Sequence, residues 1–180
     1  MNIRPMFKLP IKVCLVILGT AALPAHAGNQ LAMTTVNFEV PGTAAVLEGN
    51  YEEAIKASEK YIDAAFNLRR VAALTNLCIS YTALGDFEDA SKWCEAASEV
   101  NRAGWVTANN RAVLHLIMGE YREGHSMLES AEVSVNNGAF RKSCRECWAA
   151  IKENHEEAER REIMAQAAAE PDDYVARSDD

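Results

Sequence analysis

Cys144-Arg145-Glu146-Cys147 is the stretch of this 180-residue chain best equipped for chemistry. On a helix, residues i and i+3 bring their Cα atoms to about 5 to 6 Å, inside the span a disulfide bridges. Arg141, Lys142 and Arg145 stand close by, and cationic neighbours favour the thiolate that redox chemistry needs. The same two cysteines nevertheless share a stripe with Phe140, Trp148 and Ile151 at helical spacing, which is the pattern of buried packing. The strand-to-helix setting of a redox CxxC is also missing. Structural sulfurs, free or bridged, are the first expectation, ahead of a redox-active pair and of a metal site. Zinc needs four ligands at about 2.0 to 2.3 Å from one ion. His155 lies about 16 Å along a helix from Cys144, and His115 and His125 belong to other segments. No metal or other cofactor is expected.

Cys78 and Cys94 each stand eight residues from Asp86, so a chain that folds back there brings them level. In an oxidising compartment a cross-link is expected alongside the alternative of two small buried residues that let helices touch; the loop-entropy model values such a bond at about 3 kcal/mol. The chain carries no nucleophile elbow, phosphate loop, HExxH or dinucleotide fingerprint. Its glutamates read as solvated helix faces with i,i+4 partners such as Glu52 and Lys56. A non-enzymatic protein is the expectation.

Three short segments position these groups. Gly49-Asn50-Tyr51-Glu52-Glu53-Ala54, Gly85-Asp86-Phe87-Glu88-Asp89-Ala90 and Gly119-Glu120-Tyr121-Arg122-Glu123-Gly124 each read glycine, polar, aromatic, two polar, small. The first two lie 36 residues apart and the last two 34. Before Gly85, the residues Leu74, Leu77, Cys78 and Tyr81 recur on one helical face, and after it Ala90, Cys94 and Ala97 form a second stripe. A glycine there supplies the left-handed backbone that ends one helix, and Asp86 caps the next. The product is an antiparallel helical hairpin.

On these residues the chain resembles the tetratricopeptide repeat family. Residues 71–104 and 105–138 look like its 34-residue units: Leu77, Cys78 and Tyr81 resemble the family's Leu-Gly…Tyr, and Ala90 and Ala97 its paired small residues. Cys94 replaces an aromatic; Ala108, Arg111, Ala112 and His115 stand where Trp, Leu, Gly and Tyr are favoured, and Gly124 replaces Ala. The resemblance implies an all-α fold, a TPR-type α-solenoid of helical hairpins with a C-terminal capping helix. Pro41-Gly42 shortens the first unit, 43–70, to a helix of about Thr43 to Glu48 followed by one from about Glu52 into the Leu68 region. Residues 139–169 close the stack, 28–42 are extended or poorly ordered, and the acidic tail 170–180 reads as disordered.

The family's groove-lining helices often carry an Asn that binds the backbone of an extended peptide. Here the resemblance assigns that role to Asn76 and Asn110, 34 apart, with Thr75 and Ile79 beside the first and Asn109 and Val113 beside the second. A contact between neighbouring helices is the alternative use of the two amides.

Composition sets the compartment. Arg4, Lys8 and Lys12 precede the apolar run Val13 to Leu23, and Ala25-His26-Ala27 follows Pro24, the layout of a secretory signal cleaved after Ala27. The 11-residue core is short of the roughly 20 that span a bilayer, so no stable membrane anchor is expected after cleavage. Cleavage removes three of the 18 bases and none of the 26 acids, taking the net charge from −8 to −11. Such a balance disfavours nucleic acid. The expectation is an exported scaffold or adaptor, in a bacterial periplasm, binding a protein or an extended peptide. A thiol-active factor using Cys144 and Cys147 is one rival. The other is a self-assembling protein whose groove is filled by a second copy or by its own residues 31–40.

Overall fold

The computed structural model describes the backbone of residues 12–14 and residues 31–101, 104–137 and 145–169. Among them are seven helices: α1 (Thr43–Glu48), α2 (Tyr51–Ile62), α3 (Asn67–Leu84), α4 (Phe87–Val100), α5 (Trp105–Met118), α6 (Tyr121–Asn137) and α7 (Arg145–Ala169). Two three-residue strands, β1 (Lys12–Cys14) and β2 (Ala32–Thr34), pair in parallel, with Lys12 opposite Ala32, Val13 opposite Met33 and Cys14 opposite Thr34. The fold is all-α. Among the described residues no helix is long and apolar enough to cross a membrane.

Three glycines end three helices in one geometry. Gly49, Gly85 and Gly119 have φ of 78°, 79° and 82°. After Leu84, the N–H of Gly85 donates to Thr82 O and that of Asp86 to Tyr81 O. Gly119 and Glu120 repeat the pattern on Leu116 and His115, as do Gly49 and Asn50 on Val46 and Ala45. The paired bonds use helix-end carbonyls that would otherwise lack donors, and a side chain at this φ is strained, which accounts for the glycine each time. Asp86 then accepts from the Asp89 N–H at 3.3 Å and starts α4.

The junction of α2 and α3 departs from the expected helix running to the Leu68 region. Ala64 and Ala65 donate to Tyr61 O and Ile62 O, tightening the end of α2 into a turn. Phe66 is extended and Asn67 takes φ of 48°, so α3 starts there, four residues before the expected repeat boundary at 71. Arg70 Nη1 donates to Ile62 O at 3.3 Å, serving one carbonyl of the broken helix.

Side-chain pattern explains the packing. Ala54, Ser58 and Ile62 bury one face of α2, and Ala90, Cys94 and Ala97 one face of α4. Along α3 every side chain from Val71 to Ser80 is buried, as expected of a helix with neighbours on all sides. Successive helices pack against each other, while α1, α3, α5 and α7 also touch in turn. β2 lies on α5 and α7. Leu31 and Met33 join Val46, Ile79, Val113, Leu116 and Leu128 in the largest core. The expected tail 170–180, Phe140 and Cys144 lie outside the described residues.

Candidate functional site

Asn109 and Asn110 are adjacent on α5, and both are buried along with Thr107, Ala112, Val113, Leu114 and Leu116. Asn154 occupies the same kind of position on α7, within the buried stripe Cys147, Ala150, Ile151, Asn154 and Ala158. Three buried primary amides demand partners, since each unpaired one costs on the order of 1 to 3 kcal/mol. They find them on one extended segment of the chain itself.

Asn110 grips Thr34 with both ends of its amide: Oδ1 accepts from the Thr34 N–H and Nδ2 donates to Thr34 O, each at 2.8 Å. Asn154 treats Ala32 likewise, accepting from its N–H at 2.7 Å and donating to its carbonyl at 3.0 Å. Asn109 Nδ2 gives Ala32 O a second bond at 3.0 Å, and Asn109 Oδ1 accepts from Asn154 Nδ2 at 2.8 Å. Ala32 and Thr34 are i and i+2 of a strand, so their backbone groups leave from the same edge. One edge of β2 is therefore paired with side chains as another strand would pair it. The bonds to β2 all go to main-chain groups and involve no ionisable side chain, while the side chains of Leu31 and Met33 are fixed separately, in the largest core.

Asn76, 34 residues before Asn110, does something else. Its Nδ2 donates to Thr43 Oγ1 at 3.1 Å, and that hydroxyl also accepts from the Val40 N–H at 3.3 Å. The amide thus ties α3 to the start of α1, the helix-to-helix use weighed as its alternative. Thr75, Ile79 and Val113 were expected to line an open face. They are buried, with Ile79 and Val113 in the same core as Leu31 and Met33. The reason is the segment 31–35, five consecutive buried residues that lie where a guest was expected. Two polar atoms remain without a hydrogen-bond partner among the described residues nearby, Thr34 Oγ1 and Thr75 Oγ1.

Cys78, Cys94 and Cys147 are bonded. Cys78 and Cys94 form a disulfide with Cα atoms 4.8 Å apart. Cys147 is also disulfide-bonded, and Cys144 lies outside the described residues. Between α6 and α7, His125 and His155 stack at 6.2 Å and pair with Glu162 and Glu132. Among the described residues no group of three or more His, Cys, Asp or Glu is placed to hold a metal.

In the sequence Asn154 is masked by the charged run Lys152-Glu153-Asn154-His155-Glu156. Its signal was positional: it is i+3 from Ile151 and i+7 from Cys147, so the apolar stripe passes through it. Compared with protein-family models, with curated proteins and with solved structures, the chain matches none.

Proposed function

We propose that this chain is an exported helical-repeat protein of the tetratricopeptide kind, a solenoid of hairpins closed by α7, which holds an extended segment of another protein in a bacterial cell envelope and performs no catalysis. The observation that carries this reading is the double grip of Asn110 on Thr34 and Asn154 on Ala32, a device that fixes extended main chain through its own N–H and C=O groups. The three equivalent glycine bends and the succession of contacts through α1, α3, α5 and α7 support the repeat architecture. The basic, apolar and small-residue layout of residues 1–27 supports export. The segment 31–35 belongs to the binding surface in this reading, because it fills the face that the repeats leave open.

A photo-cross-linking amino acid placed at Val36, half-buried at the end of that segment, tests the proposal in the cell that makes the protein. Attachment to an extended stretch of a second protein, mapped by mass spectrometry, is expected. Attachment only from control positions on distant surfaces, such as Phe66 or Ile163, would overturn it.

A further inference from the structure

A strand has two edges, and in β2 they are occupied differently. Ala32 and Thr34 give their N–H and C=O groups to Asn109, Asn110 and Asn154. Alternation turns the N–H and C=O of Met33 to the opposite edge. There β1 runs parallel, with Val13 opposite Met33. In a parallel ladder, a residue bonds to the two that flank its opposite number. The Met33 N–H therefore meets Lys12 O, and Met33 O meets the Cys14 N–H. Yet Lys12–Cys14 falls inside the segment whose composition marks it for removal after Ala27. Cleavage uncovers Met33, fully buried while residues 12–14 lie beside it, and leaves its amide and carbonyl on an open strand edge. An unpaired strand edge is a template for pairing with another chain, and the inner edge of β2 has no donors or acceptors to spare.

We infer that leader removal opens the outer edge of β2 as a strand-addition site, which takes an apolar extended segment of a partner polypeptide in parallel to residues 31–35. The inference deepens the proposed function and rests on it, naming the place and the direction of capture. The occupant's chemistry follows from the seat. With residues 12–14 in place Leu31 to Thr35 are all buried, so a neighbour is desolvated at its middle, where Val13 stands opposite Met33, and a charge is confined to its ends, as Lys12 is opposite Ala32. Main-chain bonds hold such a strand, and the pockets beside it select alternate side chains. Thr34 Oγ1, buried and without a hydrogen-bond partner among the described residues, offers a hydroxyl to a polar side chain at the position opposite it. In the precursor the leader occupies the edge itself, so the site is closed until the leader is cut.

The test uses the chain recovered from the envelope after export, its first residue read by N-terminal sequencing. The probe is a synthetic heptapeptide of residues 10–16 with Cys14→Ser, in three forms: unmodified, N-methylated at residue 13, and N-methylated at residue 14. Fluorescence anisotropy is expected to show saturable binding of the first two within about twofold of each other. The third should bind at least about tenfold more weakly, since it lacks the amide hydrogen that Met33 O accepts. Equal binding of both methylated forms, or no binding of any, overturns the strand-addition site. So does a retained leader, or a dimer that the peptide dissociates, which would make a second copy the occupant. Photo-cross-linking at Val36 to another protein, together with a flat methylation series, would remove this site while leaving the proposed function standing.

Discussion

Cys78 and Cys94 face each other across the hairpin of α3 and α4, and 34 residues later Ala112 and Leu128 take the same two places across α5 and α6. All four are buried in one core. The first hairpin closes with a covalent bond between two small side chains, the second with a leucine against a methyl group. The substitution spreads to the neighbours. Thr82 in the first hairpin turns its hydroxyl onto Cys78 O at 2.7 Å, whereas its counterpart Leu116 is large and apolar. Where the first hairpin has Ala90 the second has Gly124, and a Cβ there would lie 2.6 Å from Leu116 Cγ. Volume added at one position is removed at the facing one, as close packing requires.

The largest expected effects separate the two closures. Leu128→Ala should destabilise by about 3 kcal/mol, within the usual range for a fully buried leucine, and reductant should not change the loss. The double variant Cys78→Ser, Cys94→Ser should also lose about 3 kcal/mol in the loop-entropy model for so short a loop, and here the loss should vanish against wild type measured in reductant. Urea unfolding with and without reductant checks both. Equal sensitivity of wild type to urea in the two conditions would show that the disulfide adds nothing.

Asn110 and Asn76 extend the comparison to polar groups. Asn110→Ala orphans both the N–H and the carbonyl of Thr34, and should cost about 2 kcal/mol; release of the segment into water limits the loss. Asn76→Ala removes one bond to a hydroxyl that keeps its second partner at Val40, so about 1 kcal/mol is expected. Amide hydrogen exchange separates them further. Thr34 should lose protection in the Asn110 variant and keep it in the Asn76 variant.

These pairs also show what the sequence could and could not reveal. The bends at Gly49, Gly85 and Gly119 were legible because a left-handed residue and its two capping bonds act within five residues. The disulfide was legible because Cys78 and Cys94 stand at equal distances from such a bend. Asn110 was found by its offset from Asn76, but the offset could not say that the two amides differ in use. That difference is set by Thr43 and Thr34, which are 33 and 76 residues from their asparagines. Likewise, nothing local in Leu31-Ala32-Met33-Thr34-Thr35 distinguishes a strand that fills a groove from one that waits beside it. Its position depends on Asn154, 122 residues away, in a stretch whose charges mask its place on the buried stripe.

A smaller effect is expected at Gly124. Gly124→Ala gains about 0.5 to 1 kcal/mol of helix propensity but forces Leu116, itself buried, out of its place, at roughly 1 to 3 kcal/mol. A net loss of about 1 kcal/mol should appear as a lower urea midpoint with unchanged slope. A gain would mean that α5 and α6 can separate without cost.

The smallest effect concerns Tyr81 and His115, again 34 residues apart. His115 Nδ1 pairs with Glu120 Oε2 at 2.6 Å, on its own bend. The Tyr81 hydroxyl instead reaches α2, donating to Glu59 Oε1 at 3.2 Å, and so links two hairpins. Burial first, and then the Glu59 carboxylate, push the Tyr81 phenol above its usual range. The folded chain thus keeps this proton at a pH where the unfolded chain has lost it. The stabilisation is complete below about pH 10 and fades as pH rises through the folded value. Tyr81→Phe should cost about 0.5 kcal/mol at neutral pH, given the partial exposure of the pair. Near pH 10.5, above the ordinary phenol value of about 10, the wild type's advantage should shrink, because a phenolate beside Glu59 repels it. Urea midpoints of the two proteins at both pH values measure the difference; an advantage that did not change with pH would mean that the phenol proton plays no part, and one that grew would mean that the folded chain favours the phenolate.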